Sequence, residues 1–459
     1  MITYIKIDGF KTFKNFEMYF SPFTVIAGVN AAGKSNLFDA LALISELASG
    51  GNSIQKVLSS QRGELNELFT LFDNGKRAKE MSFVVEMLVN PMVTDEWNLS
   101  EKVSVTRLRY EVALKHVGVD NVEILRESLC PIRKKDDKWA SYLPNKTDSH
   151  WRPAMKGTRQ KPFLSFNVEE SMTVSIYDNN SGKIENMQAS GSNLTFISRF
   201  SKCDTPHLLA ARMEMMSWRF LHLNPDDLRT PSLKSESMFD LDSTGKNLAA
   251  TLNRLKKEDE YNLVIISQLI RRFIPDYIAI DVKEELDGSR NVLYVKDRRN
   301  EEYTSRVLSE GTLRIIALCV LAVDNHHSGL LCFEEPENGV HPMRLEVMAN
   351  LMEQLSSDFM NTELKLRQVI VNTHSPRFVE EVFKLRNQLC TVVLTRRVTN
   401  IINESEEKKM LQSTRMTPIV SDGEYVYPLA SQYSIQDLKL TRQEMMRYLN
   451  KTTLTDILG

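Results

Sequence analysis

The chain is short of the features that mark a specialised class of protein. Five cysteines (Cys130, Cys203, Cys319, Cys332 and Cys390) are scattered through 459 residues without a C-x-x-C pair. That excludes a disulfide framework and a zinc knuckle and predicts buried free thiols. Neither sign of charge is in excess, since 58 Lys and Arg face 60 Asp and Glu, so a polyanion would have to be met by a local patch. Long apolar runs are missing too. The longest, Ile315 to Val323, is far below the roughly 20 residues that a membrane-spanning helix needs. No internal repeat, low-complexity tract or sustained heptad pattern is present, which removes solenoids and long coiled coils. The opening Met1-Ile-Thr-Tyr-Ile-Lys-Ile-Asp8 alternates like a strand and lacks the basic start and apolar stretch of a secretion signal. No membrane association and a cytoplasmic location are therefore expected.

What remains is an ordinary globular composition, 42% hydrophobic and 26% charged, able to build a substantial core. The pattern predicts short strands over 2–8, 15–20 and 23–27, a glycine-containing loop, and a helix from about Lys34 to Leu47. A strand follows from Met81 to Val89. Between about 95 and 200 the pattern becomes irregular, with strand-like pieces at 103–117, 121–127 and 171–178, and this section reads as inserted. A methionine-rich helix whose methionines read as core is expected from Thr205 to Trp218, then a turn at Asn224-Pro-Asp-Asp227. Helices are expected at 246–256 and 260–273 and strands at 277–285 and 291–296. From Gly311 onward apolar strands alternate with helical segments, which implies a parallel sheet.

Four motifs carry chemistry. Gly28-Val-Asn-Ala-Ala-Gly33-Lys34-Ser35 fits G-x-x-x-x-G-K-[ST] between a predicted strand and a predicted helix. Such a loop turns backbone N–H groups and a helix N-terminus toward phosphates, while its Lys reaches the β/γ-phosphates and its Ser ligates Mg²⁺. Gly329-Leu-Leu-Cys-Phe-Glu334-Glu335-Pro336 is an apolar strand ending in two carboxylates. The first suits Mg²⁺ and the second suits deprotonation of an attacking water. Leu308-Ser309-Glu310-Gly311-Thr312-Leu313 opens an apolar helix, and could bind an anion or simply cap that helix. Val369-Ile-Val-Asn-Thr-His374-Ser375-Pro376 delivers a histidine to the tip of a strand, the edge where ligands gather in open α/β sheets.

In this order the four pieces resemble an ABC-type ATPase of the SMC-like branch, similar to the stand-alone RecF-like and OLD-like ATPases of bacteria that are often described as AAA-family proteins. The resemblance spans residues 1–90 and 205–400. It implies an α/β P-loop NTPase head, a mixed sheet plus parallel core flanked by helices, with an inserted α+β region between its halves. The expected divisions are 1–94, the half with Walker A; 95–204, the insertion; 205–400, the half with signature, Walker B and switch histidine; and 401–459, an extension. ATP would be held by Gly28, Asn30, Gly33, Lys34, Ser35 and Asn36, with Lys11 and Thr12 of Gly9-Phe10-Lys11-Thr12-Phe13 approaching it. Mg²⁺ would sit on Ser35 and Glu334, Glu335 would be the general base, and His374 would sense the γ-phosphate. Ser309 and Gly311 would complete the site of a second protomer, so a homodimer or higher homo-oligomer is implied. Pro336-Glu337-Asn338-Gly339-Val340-His341-Pro342 resembles the D-loop segment.

Two departures stand out. The family usually has aspartate at the first Walker B position, where Glu334 adds a methylene, and neither Gln55 nor Gln61 can be assigned to the Q-loop. OLD-type relatives often carry a TOPRIM nuclease with a D-x-D pair. Here the stretch after Asn400 is short and Asp240-Leu-Asp242 lies upstream beside Thr244-Gly-Lys-Asn-Leu248, where a helix cap is the expected role. No nuclease within the chain is expected. From Arg133 to Lys161, nine basic residues against three acids, interleaved with Trp139, Tyr142 and Trp151, suit DNA contact or a solvated loop. Ser431 to Gly459 has helical spacing through Leu438, Leu440, Met445, Met446, Leu449 and Leu454. The resemblance then implies the ATPase subunit of an anti-phage or DNA-maintenance complex, of Septu-type or PARIS-type build, controlling a separately encoded HNH or TOPRIM nuclease. The alternative is a stand-alone RecF-like DNA-binding clamp in repair.

Overall fold

The structure, a computed structural model, describes residues 1–118, 121–142, 159–168, 171–177, 182–188, 192–235, 240–286, 288–357, 359, 366–385, 389–404, 407–420 and 429–450. Alternating apolar residues open the chain as β1 (Ile2–Asp8), β2 (Phe16–Tyr19) and β3 (Phe23–Ala27), and a loop leads into α1 (Lys34–Ser49). The short α2 (Ile54–Ser59) starts where the Ser53 hydroxyl accepts the Lys56 N–H. Next come β4 (Glu80–Leu88) and a small hairpin of β5 (Met92–Thr94) and β6 (Ser100–Lys102). Longer strands follow: β7 (Arg107–Val117), β8 (Asn121–Pro131), β9 (Leu164–Asn167), β10 (Ser171–Tyr177) and β11 (Lys183–Gln188). They join β1, β2 and β4 in one antiparallel sheet of order β11-β10-β9-β8-β7-β4-β1-β2. The section that reads as inserted is thus continuous with the sheet that β1 begins, because β4 pairs β1 on one side and β7 on the other.

The second half starts with α3 (Pro206–Met216), β12 (Arg219–Leu221), α4 (Pro225–Arg229) and β13 (Ser232–Leu233). The expected turn at 224–227 is the start of α4, because the Asn224 side chain accepts the Asp226 N–H and Pro225 presets the first helical residue. After α5 (Leu248–Glu258) and α6 (Tyr261–Phe273), β14 (Tyr277–Glu284), β15 (Arg290–Asp297) and β16 (Glu302–Thr304) join β13 in a small sheet. Then α7 (Glu310–Val323), β17 (Gly329–Glu334), α8 (Leu345–Gln354), β18 (Arg367–Thr373) and α9 (Pro376–Lys384) alternate in the βα manner. The hairpin β19 (Cys390–Glu404) and β20 (Glu407–Pro418) and the helix α10 (Ile435–Leu449) complete the described elements.

The expected parallel sheet has the order β12-β17-β18-β3-β19-β20, with only β20 antiparallel to its neighbour. Its strands are apolar on both faces because two cores press on it. Ile26, Leu330, Cys332, Ile370 and Val393 point into the core shared with α1, α3 and the antiparallel sheet. Val25, Leu331, Phe333, Val369 and Leu394 point into the core of α5 to α9. α10 adds Met445 and Leu449 to that second core and leaves Leu440 exposed; Leu454 lies outside the described residues.

Three sequence readings need correcting. Met213 and Met216 of α3 are each 43% exposed while Met215 is buried, because α3 lies on the surface and turns one face outward. Only Cys319 and Cys332 are buried; Cys130, Cys203 and Cys390 are partly exposed, and all five are free thiols. Trp139 is wholly buried, donates its indole N–H to Phe20 O at 2.6 Å, and lies 5.3 Å from the Arg107 guanidinium. It cannot stack on a base. Arg107 in turn forks onto Asp137, with Nε–Oδ2 at 2.8 Å and Nη2–Oδ1 at 2.9 Å, so charge pairing anchors this end of the basic stretch in the core. Residues 143–158 of that stretch, Lys146, Trp151, Arg152 and Lys156 among them, lie outside the described residues.

Candidate functional site

The site lies along the C-terminal edge of the parallel sheet, where β3, β17 and β18 end side by side. Gly33 is left-handed at φ 100°, and an added Cβ would fall 2.1 Å from the Thr414 hydroxyl of β20. Only glycine fits there. Thr414 Oγ1 donates to Ala32 O at 3.1 Å and meets Thr12 Oγ1 at 2.7 Å, while Asn36 Nδ2 donates to Thr12 Oγ1 at 2.8 Å. Hydroxyls from the β1–β2 turn and from β20 thus clamp the entry to α1. Lys34 Nζ donates to Gly28 O at 2.7 Å and Val29 O at 3.0 Å, inside the curl of the loop. Burial lowers its pKa, against the raising influence of Glu335, Glu334 and Glu337. Asn30 is exposed on the rim. Lys11 Nζ pairs with Asp39 of α1 at 2.7 Å.

Strand register delivers the carboxylates. Glu334 of β17 lies level with Asn372 of β18, and Asn372 Nδ2 is 3.5 Å from Ser35 Oγ. His222, just beyond β12, has its Nδ1 3.4 Å from Glu334 Oε2. That imidazole is the first cause holding Glu334 below the usual carboxylate range, with Ser35 and Asn372 adding to it. Glu335 leaves the strand with φ 49°, a left-handed conformation that costs a non-glycine residue about 1 kcal/mol or more. Its N–H is held by Asn372 O at 2.8 Å, its Oε2 accepts from Asn338 at 2.7 Å, and its Oε1 meets His374 Nδ1 at 2.6 Å. The two residues expected as base and sensor are therefore in direct contact. Glu337 is buried against Thr373, and burial pushes its carboxyl above the ordinary value.

The signature turn opens α7 and packs on the segment that follows Glu335. Ser309 caps α7, accepting the Thr312 N–H at 3.3 Å and meeting the Thr312 hydroxyl at 2.8 Å. Gly311 packs on Gly339 of the segment after Walker B. Gln55 bonds Asn121 and Val122, and Gln61 bonds Glu46, so neither faces the loop. Asp242 Oδ1 accepts the N–H groups of Thr244, Gly245 and Lys246, which accounts for the D-x-D as a turn before α5.

Ser35, His222, Arg314, Glu334, Glu335 and Asn372 line a cavity of 390 Å³. Ser35, Glu334, Glu335 and Asn372 bring hard oxygens to it, the kind Mg²⁺ prefers. Among the described residues no group of three His, Cys, Asp or Glu side chains forms a metal site. A cation fits here if Ser35 and Glu334 share it with a ligand's oxygens. Asn372 Oδ1 and Glu337 Oε2 are buried and without a hydrogen-bond partner among the described residues, so the site keeps acceptors in reserve. His222, Asn372 and Thr414 were not found from sequence. His222 and Asn372 could have been, as polar residues closing apolar parallel strands.

The fold is that of an ABC-type ATPase head. The chain belongs to the AAA domain family, whose model matches residues 4–291; a second AAA domain model, described with the AbiEii toxin of a type IV TA system, matches residues 212–380. Among solved structures the chain is similar to an Smc head bound to the C-winged helix domain of ScpA. The identity is 12%, the match covers 91% of this chain and 98% of that one, and the TM-score is 0.50. It is also similar to an Smc head with an extended coiled coil bound to the C-terminal domain of ScpA from Pyrococcus furiosus, at 11% identity, 91% and 96% coverage and a TM-score of 0.47. No curated protein matches the sequence. Among the described residues no helix is long and apolar enough to cross a membrane.

Proposed function

We propose that the chain binds and hydrolyses ATP with Mg²⁺ at a site completed by a second copy of itself. The observation that carries this is the division of the motifs. The Walker loop, Glu334, Glu335 and His374 converge at one sheet edge, whereas Ser309 bonds within its own turn and Gly311 faces Gly339. In this reading the loop N–H groups and Lys34 hold the phosphates, Ser35 and Glu334 hold Mg²⁺, and Glu335, kept in place by His374 and Asn338, takes the proton of the attacking water. Ser309, exposed at the start of α7, is presented to the partner's nucleotide, with Gly311 packed beneath it against Gly339. Exposed apolar side chains on the loop, before the signature and after Walker B support the pairing: Val29 at 65%, Val307 at 69% and Met343 at 76% exposure. ATP then joins two heads and hydrolysis parts them.

The subunit would serve a bacterial anti-phage or DNA-maintenance complex and regulate a separately encoded nuclease, of the HNH or TOPRIM class. Support comes from the four ordered motifs and from the match to a model described with a toxin–antitoxin system. The test is steady-state ATP turnover and solution mass for the wild type, Lys34→Ala and Glu335→Gln, with and without duplex DNA. Turnover is expected to vanish in both variants, with Glu335→Gln trapped as an ATP-dependent dimer. Turnover that survives both substitutions would overturn the assignment. A strong rise with DNA would favour the RecF-like clamp over the nuclease-regulating subunit.

A further inference from the structure

His222 belongs to none of the motifs, yet strand pairing places it beside the most unusual of them. Leu221 of β12 pairs with Phe333 of β17, so the next residue on each strand, His222 and Glu334, stand level at the sheet edge. Asn372 stands level with Glu334 on the other side. The carboxylate is therefore bracketed by polar side chains from both neighbouring strands, with Ser35 in front. Glutamate carries its carboxylate about 1.5 Å further from the backbone than aspartate and adds a rotatable bond with three staggered wells. Unbraced, Glu334 would present its oxygens to a cation in several orientations. A group that engages one oxygen removes that freedom and leaves the other to face Ser35.

We propose that His222 is a positioning residue for Glu334: its imidazole engages the outer carboxylate oxygen and thereby directs the inner one to the cation shared with Ser35. The observations that carry it are the 3.4 Å separation of His222 Nδ1 from Glu334 Oε2 and the presence of both side chains on the wall of the cavity that Ser35 and Asn372 also line. The loop after His222 is pinned, since the His222 N–H donates to Ser243 O at 2.8 Å and the Asn224 N–H to Thr244 O at 2.9 Å, so the ring hangs from a fixed backbone. His222 is in this way the counterpart of the added methylene, and it deepens the nucleotide and Mg²⁺ reading on which it rests.

The test measures binding of a fluorescent, slowly hydrolysed ATP analogue to the full chain as a function of Mg²⁺, and separately of Mn²⁺. His222→Ala is expected to raise the Mg²⁺ concentration for half-maximal binding about tenfold, the size of effect seen when a partner of a metal ligand is lost, and to leave metal-free binding unchanged. His222→Gln, which keeps an N–H donor, should recover part of that loss. In a Glu334→Asp background the shorter side chain needs no brace, so adding His222→Ala should shift the Mg²⁺ requirement less than twofold. An unshifted requirement in His222→Ala, or an equal shift in both backgrounds, would overturn the brace. A loss confined to Mn²⁺ would overturn it in favour of direct ligation. Wild-type protein that binds the analogue no better than Lys34→Ala at any Mg²⁺ concentration would overturn the nucleotide reading itself.

Discussion

Replacing Gly311 by alanine sets two physical rules against each other. Alanine inside a helix is more favourable than glycine by about 1 kcal/mol, and Gly311 lies in the first turn of α7 without a positive φ to excuse it. Propensity alone therefore predicts a more stable protein. The packing predicts the reverse. A Cβ on Gly311 would fall 2.1 Å from Gly339 O and 2.9 Å from Gly339 C. Both are backbone atoms, so no side-chain rotation relieves the clash. Ordinary contact begins near 3.4 Å, so α7 and the segment after Walker B must part by more than an ångström. Overpacking on this scale costs about 1–3 kcal/mol, which leaves a net loss of up to about 2 kcal/mol after the helix gain. Urea unfolding of the nucleotide-free protein reads it as a lower midpoint at unchanged slope. Gly75→Ala is the control, since φ there is 73° and nothing lies within 4 Å of the new Cβ, so only backbone strain is added. The displaced segment carries Asn338, whose amide holds Glu335 at 2.7 Å, so ATP turnover should fall as well. A Gly311→Ala protein at least as stable as wild type would refute the close backbone packing.

Three further outcomes are expected. Burial pushes the Glu127 carboxyl from 4.5 up to about 7, against hydrogen bonds from the Tyr110 hydroxyl and the Phe196 and Ile197 N–H groups. A folded value above the unfolded one means that its stabilising contribution is present below about pH 4.5 and lost as pH rises through about 7, a difference of about 3 kcal/mol. Thermal melts should therefore fall from about pH 5 to 8 in wild type, and Glu127→Gln should flatten that slope while lowering stability at pH 5; an unchanged slope would show that Glu127 does not titrate there. Asp137→Asn leaves the Arg107 guanidinium, whose side chain is 1% exposed, with only the more distant Glu86 at 4.0 Å as counter-charge, and should cost about 3 kcal/mol. Asp136→Asn, on the exposed pair with Arg133, should cost less than about 1 kcal/mol, and equal losses would contradict the buried pairing. Finally, Lys34→Ala should abolish binding of a fluorescent ATP analogue and Lys11→Ala should weaken it only mildly, because Asp39 already engages Lys11; similar losses would place Lys11 on the phosphates.

Much of the fold was legible because its strongest signals are local. The alternation of residues 2–8, the loop before Lys34 and the apolar strands ending at Glu334 and Thr373 each carry their own period. Between 95 and 200 the strands are interrupted by polar loops and paired across bulges, such as the shift between Ala113 and Leu114. Local pattern there gives strands without saying which sheet they join. Composition likewise marks Trp139 as an aromatic among lysines. Only the tertiary contacts with Arg107 and Phe20 show that it belongs to the core. In the site, motif residues were readable from spacing and Asn372 lies within the His374 motif, but His222 and Thr414 become neighbours of the motifs only through contacts between distant segments.

The interleaving of the parallel sheet has a consequence for biosynthesis. β3 is flanked by β18 and β19, and Gln368 seals the start of β1 by bonding both Ile2 N–H and Ile2 O across 366 residues of sequence. At ordinary elongation rates those partners leave the ribosome roughly 20 to 70 s after β1 and β3 do. Throughout that interval the apolar edges of β3 have no strand to pair with. The antiparallel sheet, whose strands all precede residue 189, can assemble during the wait. The parallel sheet closes only once β18 and β19 have followed β3 out, so translation products cut short before residue 390 should be exposed to chaperones and proteases.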